Sequence, residues 1–326
     1  SNGTSGSHGE GLPGNTFPPM VALVRRAFHE ETPMTDTATT PTAKTLERAA
    51  TVAAPSAKKP ERVTIKPRRM DFVFDETLPR YWVDDPFLTH FLNSLSLMFP
   101  GGEQFFVDSV RAFRDRIDDP ELRREINGFI GQEAMHSKEH RAFNAWLDTL
   151  GYDATAIEKM IEESLDELRK RSHEQQLATT CALEHITAIL GDALLRHDDI
   201  RARFDEKLLP LWLWHAVEET EHKGVAFDVY QQVCGSYPRR VAALISETLG
   251  LFVGAALVEY EFLEKDGLHR DPRVWARGLY ALWGPKGYLS RAAPAWLTYF
   301  RPDFHPWQHD NSDLVDRWKA RLGTKA

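Results

Sequence analysis

The chain has 326 residues, of which 42% are hydrophobic, so it can bury a sizeable core in one large domain or two smaller ones. A formal net charge of −8 argues against a nucleic-acid partner. Two cysteines are too few for a disulfide framework, and no segment is typical of a secretory signal, so we expect a reducing cytoplasm.

The first 60 residues are rich in Ser, Thr, Gly, Pro and Ala and show little periodicity. We predict a disordered leader or linker there, followed by a single helical metal-binding domain over residues 61–326. Within it we expect a bundle core at residues 86–235 and a C-terminal cap at residues 241–326. Residues 58–69 are basic and predict an extended, solvated arm laid over the domain.

The first helix is predicted over residues 86–99, with a break at Pro100-Gly101-Gly102. A second helix then starts with Glu103, followed at steps of three and four by Phe106 and Val110. Glu103 therefore begins an otherwise apolar inward stripe. Its simplest structural role is to stabilise a helix N-terminus.

The most informative stretch is the next helix, predicted over residues 122–150, which follows a short turn at Pro120 and ends at Gly151. Its inward positions are apolar except for Glu133, His136 and His140. A buried carboxylate and two buried imidazoles need compensation, and a metal ion supplies it. Glu133 and His136 lie about one turn apart on one face, close enough to bind one ion.

A charged amphipathic helix at residues 155–171 is predicted to connect this element to a further inward seam at residues 177–195. That seam contains Glu184 between small side chains, which leaves room for an ion. His185 is one residue off the seam and points about 100° away, so we expect it in a supporting layer or on the surface.

The last bundle helix is predicted as one element over residues 208–233, with His215, Glu219 and His222 inward. Its Glu-x-x-His pair repeats the spacing of Glu133 and His136. Glu218 flanks the seam and would replace Glu219 if the register were shifted by one residue.

The C-terminal third contains an apolar helix predicted over residues 241–263 and a tail rich in aromatic residues and proline. The most apolar run, residues 249–258, is about half the length needed to cross a bilayer, so we expect a buried helix, with contact to a membrane surface as a minor alternative. His305 and His309 lie in an irregular stretch and are weak ligand candidates.

The inward carboxylates and histidines follow the order of ferritin-like di-iron carboxylate bundles. The sequence therefore predicts an all-α protein with a ferritin-like four-helix bundle, additional C-terminal helices, and two iron ions, with manganese or zinc as alternatives. A metal-free core of hydrogen-bonded Glu and His is the alternative. In such a core the negative charge of the four buried carboxylates would be poorly balanced without cations. The predicted ligands, of which Glu133 and Glu219 are the bridging and catalytic pair, are Glu103, Glu133, His136, Glu184, Glu219 and His222.

Two further histidines extend this pattern. If the second and fourth bundle helices are antiparallel, His140 and His215 lie about 6 Å from the ligands on the same side of the metal pair. We predict that they converge as an added ligand, a supporting pair or a further metal position. Two histidines that merely share a hydrogen bond in the core are the alternative.

Several segments resemble a bacterial family catalogued as predicted metal-dependent hydrolases, over roughly residues 63–310. The similar segments are F-P-G-G-E-Q-F-F, Q-E-A-M-H-S-K-E-H-R-A-F-N, A-L-E-H-I-T-A-I-L, W-H-A-V-E-E-T-E-H-K-G-V-A-F-D-V-Y and R-P-D-F-H-P-W-Q-H-D. The resemblance implies metal-dependent hydrolysis and the same six ligands. His140 and His215 depart from the simplest di-iron pattern, which leaves the number and identity of the metals open.

The leading hypothesis from the sequence is a non-haem di-iron enzyme that activates dioxygen to oxidise a small apolar substrate, supplied with electrons by a donor protein. The alternative is a hydrolase in which the metals activate a bound water. A third hypothesis, from outside enzymology, is iron storage or metal buffering. The oligomeric state stays open.

Overall fold

The computed structural model describes residues 57–322, and the regular structure in this range is helical apart from a single β-bridge between Val83 and Phe204. The all-α prediction is confirmed. The predicted disorder of residues 1–60 falls, except for its last four residues, outside the described range, as do His8 and His29. The α-helices are α1 (Pro86–Arg111), α2 (Pro120–Thr149), α3 (Ala154–Arg169), α4 (His173–Arg196), α5 (Asp198–Arg201), α6 (Leu209–His222), α7 (Val225–Val233), α8 (Tyr237–Lys265), α9 (Pro272–Trp283), α10 (Tyr288–Thr298) and α11 (Ser312–Leu322).

Four of these helices surround the core in a ring of pairwise contacts, in which α1 packs on α2, α2 on α6, α6 on α4, and α4 on α1. Their starts follow from capping chemistry. Asp85 accepts hydrogen bonds from the first amides of α1, Asp119 does so for α2, and Ser172 forms a capping box with Gln175 at the start of α4. The more specific ferritin-like topology stays a prediction.

The predicted break at Pro100 is wrong, because α1 runs through this residue as a single helix of 26 residues. Proline lacks the amide that would bond to the carbonyl four residues earlier, which is that of Ser96. Asn144 of α2 supplies the missing donor, since its Nδ2 lies 3.1 Å from the Ser96 carbonyl oxygen. A side chain from the neighbouring helix therefore replaces the lost backbone bond, which a pattern within one helix cannot reveal.

The predicted single helix at residues 208–233 is also wrong, because it is interrupted between α6 and α7 at Lys223 and Gly224. Lys223 turns toward the C-terminal segment, where its Nζ donates to the carbonyl of His309 and lies 4.1 Å from the ring centre of Trp307. A Cβ at Gly224 would lie 2.9 Å from Trp307 Nε1. Packing against this tryptophan therefore explains both the break and the glycine.

The basic arm lies in close contact with α2. A Cβ at Gly128 would lie 2.4 Å from the carbonyl oxygen of Ile65, and one at Gly131 would lie 2.3 Å from Pro67. Val63 is buried. The prediction that the arm crosses the domain is confirmed, whereas the expectation that its charges are simply solvated is wrong for Arg68, as described below.

The helix α8 is the longest element of the C-terminal part and packs on α1 and α4. Its 29 residues exceed the apolar run that the sequence singled out, and by length and composition alone it could cross a membrane. Only 33% of its most apolar window is buried. The helices α9 and α10 pack on each other beside it, against α1 and α4 respectively.

We predict that Asn144→Ala lowers the free energy of unfolding of the metal-free protein by about 1–3 kcal/mol, because the Ser96 carbonyl loses its donor. In a Pro100→Ala background the backbone amide of residue 100 can bond to this carbonyl, so the same substitution should cost about 1 kcal/mol less. Urea unfolding of the four proteins of this double-mutant cycle measures the difference. An equal cost in both backgrounds would contradict our account of α1.

Candidate metal centre

The six predicted ligands meet between the four core helices, and each is at most 3% exposed. Each helix contributes at least one carboxylate. Glu103 comes from α1, Glu133 and His136 from α2, Glu184 from α4, and Glu219 and His222 from α6.

One end of the cluster is built around His222. Its Nε2 lies 3.0 Å from Glu133 Oε1, 3.4 Å from Glu184 Oε2 and 3.4 Å from Glu219 Oε1. Three carboxylate oxygens and one imidazole nitrogen from three helices therefore share one small volume. An ion placed there would have ligands on several sides.

The other end of the cluster contains His215 in addition to the predicted ligands. His215 Nε2 lies 3.1 Å from Glu219 Oε1 and 3.9 Å from Glu103 Oε1. His136 stacks on His215 with ring centres 4.1 Å apart, and its Nδ1 lies 3.5 Å from Glu219 Oε1 and 3.9 Å from Glu133 Oε2.

Three overlapping sets of ligand atoms are close enough to hold an ion: Glu103, His136 and His215; Glu133, His136 and Glu219; and Glu133, Glu184 and His222. The first and last sets share no residue, so the cluster would allow one ion at each end. Glu133 and Glu219 lie between the two ends.

The hydrogen bonds behind His215 determine which of its nitrogens carries the proton. Ser96 Oγ donates its single hydrogen to Asn144 Oδ1, so the nearby His140 Nδ1, at 2.8 Å, must be the donor to Ser96 Oγ. His140 Nε2 then accepts from His215 Nδ1 at 2.7 Å. The unprotonated nitrogen of His215 is therefore Nε2, and it faces Glu103 and Glu219.

The same reasoning applies to His222. Gln132 Nε2 donates to Glu221 Oε2 at 2.7 Å, so Gln132 Oε1 is the acceptor for His222 Nδ1 at 3.0 Å. The bare nitrogen of His222, Nε2, faces the three carboxylates. On His136, Nε2 lies 3.1 Å from Glu218 Oε2 without a hydrogen bond, and Nδ1 faces Glu133 and Glu219 of the cluster.

The cluster therefore consists of lone pairs that face one another, which is unfavourable unless cations lie between them. Oxygens of Glu103, Glu133 and Glu184, together with His222 Nε2, have no hydrogen-bond partner among the described residues. Burial raises the pKa of each of these three carboxyl groups well above its usual range and lowers that of His136 well below its own. Two divalent cations would balance the four carboxylates of the cluster, so the residues fit a dinuclear centre.

A second layer of charge lies behind α6 and was not found in the sequence. Arg68, from the basic arm, donates to Glu218 Oε1 at 2.9 Å and to both oxygens of Glu221 at 2.7 Å. Glu218 lies against His136. Glu221 accepts a hydrogen bond from Gln132 Nε2, and Gln132 Oε1 in turn accepts one from His222 Nδ1. Arg68 thus supports two ligands from outside. Its only signal in the sequence was membership in a basic segment, which ordinarily indicates a solvated surface.

The remaining candidates lie outside the cluster. Glu218 belongs to the supporting layer, so the expected register of α6 is correct. His185 is buried against Tyr299 and Phe304, with ring centres 4.8 and 5.1 Å away, and burial lowers its pKa to about 3. His305 pairs with Asp228 at 2.9 Å, and His309 lies 3.4 Å from Asp192.

An apolar cavity of about 160 Å³ adjoins the end of the cluster that contains His215. Its walls are mainly Leu, Ile, Met and Phe side chains of α1, α3, α4 and α8. Glu103, His215 and Glu219 belong to both the cavity lining and the cluster. A molecule in the cavity would therefore contact the centre directly, without crossing a protein layer.

A protein-family model described as predicted metal-dependent hydrolase matches residues 66–310 of the chain. This range covers about three quarters of the sequence and includes every residue of the cluster as well as Arg68. No curated protein and no solved structure matches the chain.

We predict that the protein binds two divalent ions per chain, and that Glu103→Gln and Glu184→Gln each remove one of them, because each glutamate belongs to only one end of the cluster. Glu139→Gln is the matched control, since this carboxylate is equally buried but bonds to the amides of Asp71 and Phe72. Elemental analysis after dialysis against Mn²⁺ or Zn²⁺ gives the stoichiometry. A single ion in the unmodified protein would contradict the dinuclear arrangement.

Arg68→Ala is expected to weaken metal binding about 10- to 100-fold, since residues that orient ligands typically have effects of this size. Competition with a chromogenic chelator measures the change. Arg69→Ala provides the control, because Arg69 is exposed and its one ion-pair partner between residues 57 and 322 is Asp71. Equal affinities for the two variants would show that Arg68 does not support the centre.

Proposed function

Because this chain belongs to the family of predicted metal-dependent hydrolases, we propose that it hydrolyses an ester or similar acyl bond in a substrate with an apolar group. The observation that carries this proposal is the contact between the cluster and the apolar cavity. In this arrangement the reacting bond lies at the cluster while the apolar part of the substrate fills the cavity.

The cavity favours substrates with a hydrocarbon group and disfavours charged ones. Phe99, Phe106 and Leu183 are among its lining residues, and its few polar groups include those of the cluster, Thr187, Ser164 and Glu247, the last of which pairs with Arg171 and Thr179. An apolar group gains about 0.8 kcal/mol for each buried CH₂ group, whereas a charge buried without a partner costs several.

The cations would be held at the two ends by Glu103, His136 and His215 and by Glu133, Glu184 and His222, with Glu133 and Glu219 as the shared, catalytic carboxylates. Bound there, they would lower the pKa of a coordinated water and polarise the acyl carbonyl. Thr187 donates a hydrogen bond to Glu219 Oε2, which holds this carboxylate in place.

The protein's own groups would bind the substrate and move the proton. Glu103 lines the cavity, and Ser137 holds its Oε2 at 2.8 Å, so its Oε1 faces the cluster. We assign to Oε1 the acceptance of a proton from the attacking water. The water oxygen bonds to the acyl carbon, the bond to the leaving oxygen breaks, and the proton passes from Glu103 to that oxygen. The apolar walls keep other water away.

Activation of dioxygen by two iron ions is a second candidate, favoured by the carboxylate-rich ligand set. The clustered ligands are glutamates and histidines without a thiolate, as in di-iron carboxylate proteins. Cys181 is buried but belongs to none of the three ligand sets. This function would require an electron-donor protein.

We expect the Zn²⁺- or Mn²⁺-loaded protein to release p-nitrophenol from p-nitrophenyl esters, and Glu103→Gln to lower kcat at least about 10²-fold, because it removes both the ion of its end of the cluster and the proton acceptor. Activity is compared at equal occupancy of the remaining ion. Esterase inactivity with every metal, together with rapid oxygen consumption by the Fe²⁺-loaded protein, would reject hydrolysis and favour the second candidate.

The size of the cavity leads to a separate prediction about the length of the acyl chain of the substrate. Leu251→Trp narrows the cavity, so kcat/KM for an octanoyl ester should fall at least 10-fold while that for an acetyl ester stays within twofold. Leu249→Trp is the matched control, because Leu249 lies on α8 but faces outward. Equal losses on both esters would show that the acyl chain does not occupy this cavity.

A further inference from the structure

The helix α8 buries three ionisable side chains and exposes large apolar ones. Arg240, Glu247 and Glu259 are 1%, 3% and 3% exposed, whereas Ile245 and Leu249 are 53% and 60% exposed. A surface helix in water normally has the opposite arrangement. The outward side of α8 is therefore suited to an environment other than water.

Two of the three inward groups, Arg240 and Glu247, have partners that hold the helix in this orientation. Arg240 donates to the carbonyls of Tyr299 and Arg301, and Glu247 accepts from Arg171 and Thr179. Burial raises the pKa of Glu259 to about 9, so this side chain is neutral at pH 7. Rotating α8 to expose its charges would break these contacts, so the apolar residues must stay outside.

The apolar surface continues onto the two neighbouring helices. Phe252 of α8 lies 6.3 Å from Trp283 of α9 between ring centres, and Trp296 of α10 donates to Thr248 of α8. We call this surface the apolar face. Its most exposed large side chains are Ile245, Leu249, Tyr260, Leu279, Tyr280, Trp283 and Leu297.

The segment that carries α9 and α10 is strongly basic in an otherwise acidic protein. Between residues 268 and 301 there are six Arg or Lys residues and one acidic residue, Asp271, although the whole chain has a charge of −8. Arg270, Arg273 and Lys286 are exposed and have no ion pair among the described residues. These cations lie in or next to the helix that carries Tyr280 and Trp283.

We propose that the apolar face binds the surface of a lipid bilayer that contains anionic lipids. Exposed Trp and Tyr beside Arg and Lys is the composition of protein segments that lie at a membrane interface. The basic residues match the negative headgroups, and the apolar side chains enter the boundary of the acyl region. The helix lies on the membrane and does not cross it, because its other side packs on α1 and α4.

A second copy of the chain fits this surface less well. A two-fold interface would bring the same surface of each copy together, and the basic segment would then face its own copy. Like charges in an interface are unfavourable, whereas an anionic bilayer attracts all of them.

The position of the apolar face also narrows the substrate class, in a step that rests on the proposed function. Leu251, Gly254 and Val258 of α8 line the cavity, so one helix separates the cavity from the apolar face. An acyl lipid held in the bilayer would lie within the width of one helix from the cavity. Membrane binding itself is independent of the reaction.

The test is co-sedimentation of the metal-loaded full chain with vesicles of phosphatidylcholine alone and of phosphatidylcholine with 30% phosphatidylglycerol. We expect binding to the anionic vesicles that weakens as NaCl is raised, and at least 10-fold weaker binding to phosphatidylcholine alone. The double variants Leu249→Glu/Trp283→Glu and Arg273→Glu/Lys286→Glu should each lose at least 10-fold in affinity for the anionic vesicles.

Matched controls separate this effect from a general loss of structure or charge. Val73→Glu changes another exposed apolar residue, and Lys159→Glu reverses an exposed charge on α3. Both should bind vesicles like the unmodified protein, and all variants should retain their metal content and circular dichroism. The result also separates the two proposals, since a protein that binds vesicles but hydrolyses no ester leaves the membrane surface intact and rejects only the reaction.

Two results would overturn the proposal. One is absence of vesicle binding, or binding that the face variants leave unchanged. The other is a stable dimer, seen by light scattering, that Leu249→Glu/Trp283→Glu dissociates and that added vesicles do not dissociate. This result would assign the apolar face to a second copy of the chain.

Discussion

The repulsion among buried carboxylates is the interaction on which the rest of this structure depends. Four glutamates from four helices lie together where water cannot screen their charge, and the histidines between them direct lone pairs at them. Such an arrangement is stable only when cations occupy it or when protons do. Because the rings of His215 and His222 carry their protons on the outward side, cations are the better match. With cations bound, the four core helices would be held at their centre by charge balance as well as by apolar packing.

Support for this centre extends well beyond its ligands. Asn144 donates to the Ser96 carbonyl that Pro100 leaves without a partner, and it also accepts from the Ser96 hydroxyl that orients His140 and, through it, His215. One side chain therefore replaces the backbone hydrogen bond that α1 loses at Pro100 and helps to position the metal centre. On the opposite side, Arg68 links the arm to Glu218 and Glu221. Two irregular features of the fold, a proline within a helix and an extended basic arm, are therefore each connected to the cluster by hydrogen bonds.

The chemistry that we propose and the surface that we infer share α8. The inward side of this helix lines the cavity and holds buried ionisable groups, and the opposite side is apolar and exposed. A hydrolase for acyl lipids would need the cavity and the exposed surface close together. The buried partners of Arg240 and Glu247 make this orientation of α8 a property of the fold.

The sequence by itself determined the helical class, the family resemblance and the residues that gather at the centre, because inward positions of a helix repeat every three to four residues and Glu133, His136, Glu184, Glu219 and His222 occupy such positions. It also indicated that His140 and His215 would meet, from their offsets along antiparallel helices. These inferences need only periodicity within one helix and the energetic cost of burying charge.

Only the tertiary structure decided the features that depend on contacts between distant segments. The continuity of α1 through Pro100 required a donor 44 residues further along the chain, and the break after His222 required Trp307 from the C-terminal segment. The role of Arg68 depended on Glu218 and Glu221, about 150 residues away. The outward orientation of the apolar side of α8 could not be read from its composition, because burial depends on which side packs against the core, and its hydrophobic residues occur on more than one side.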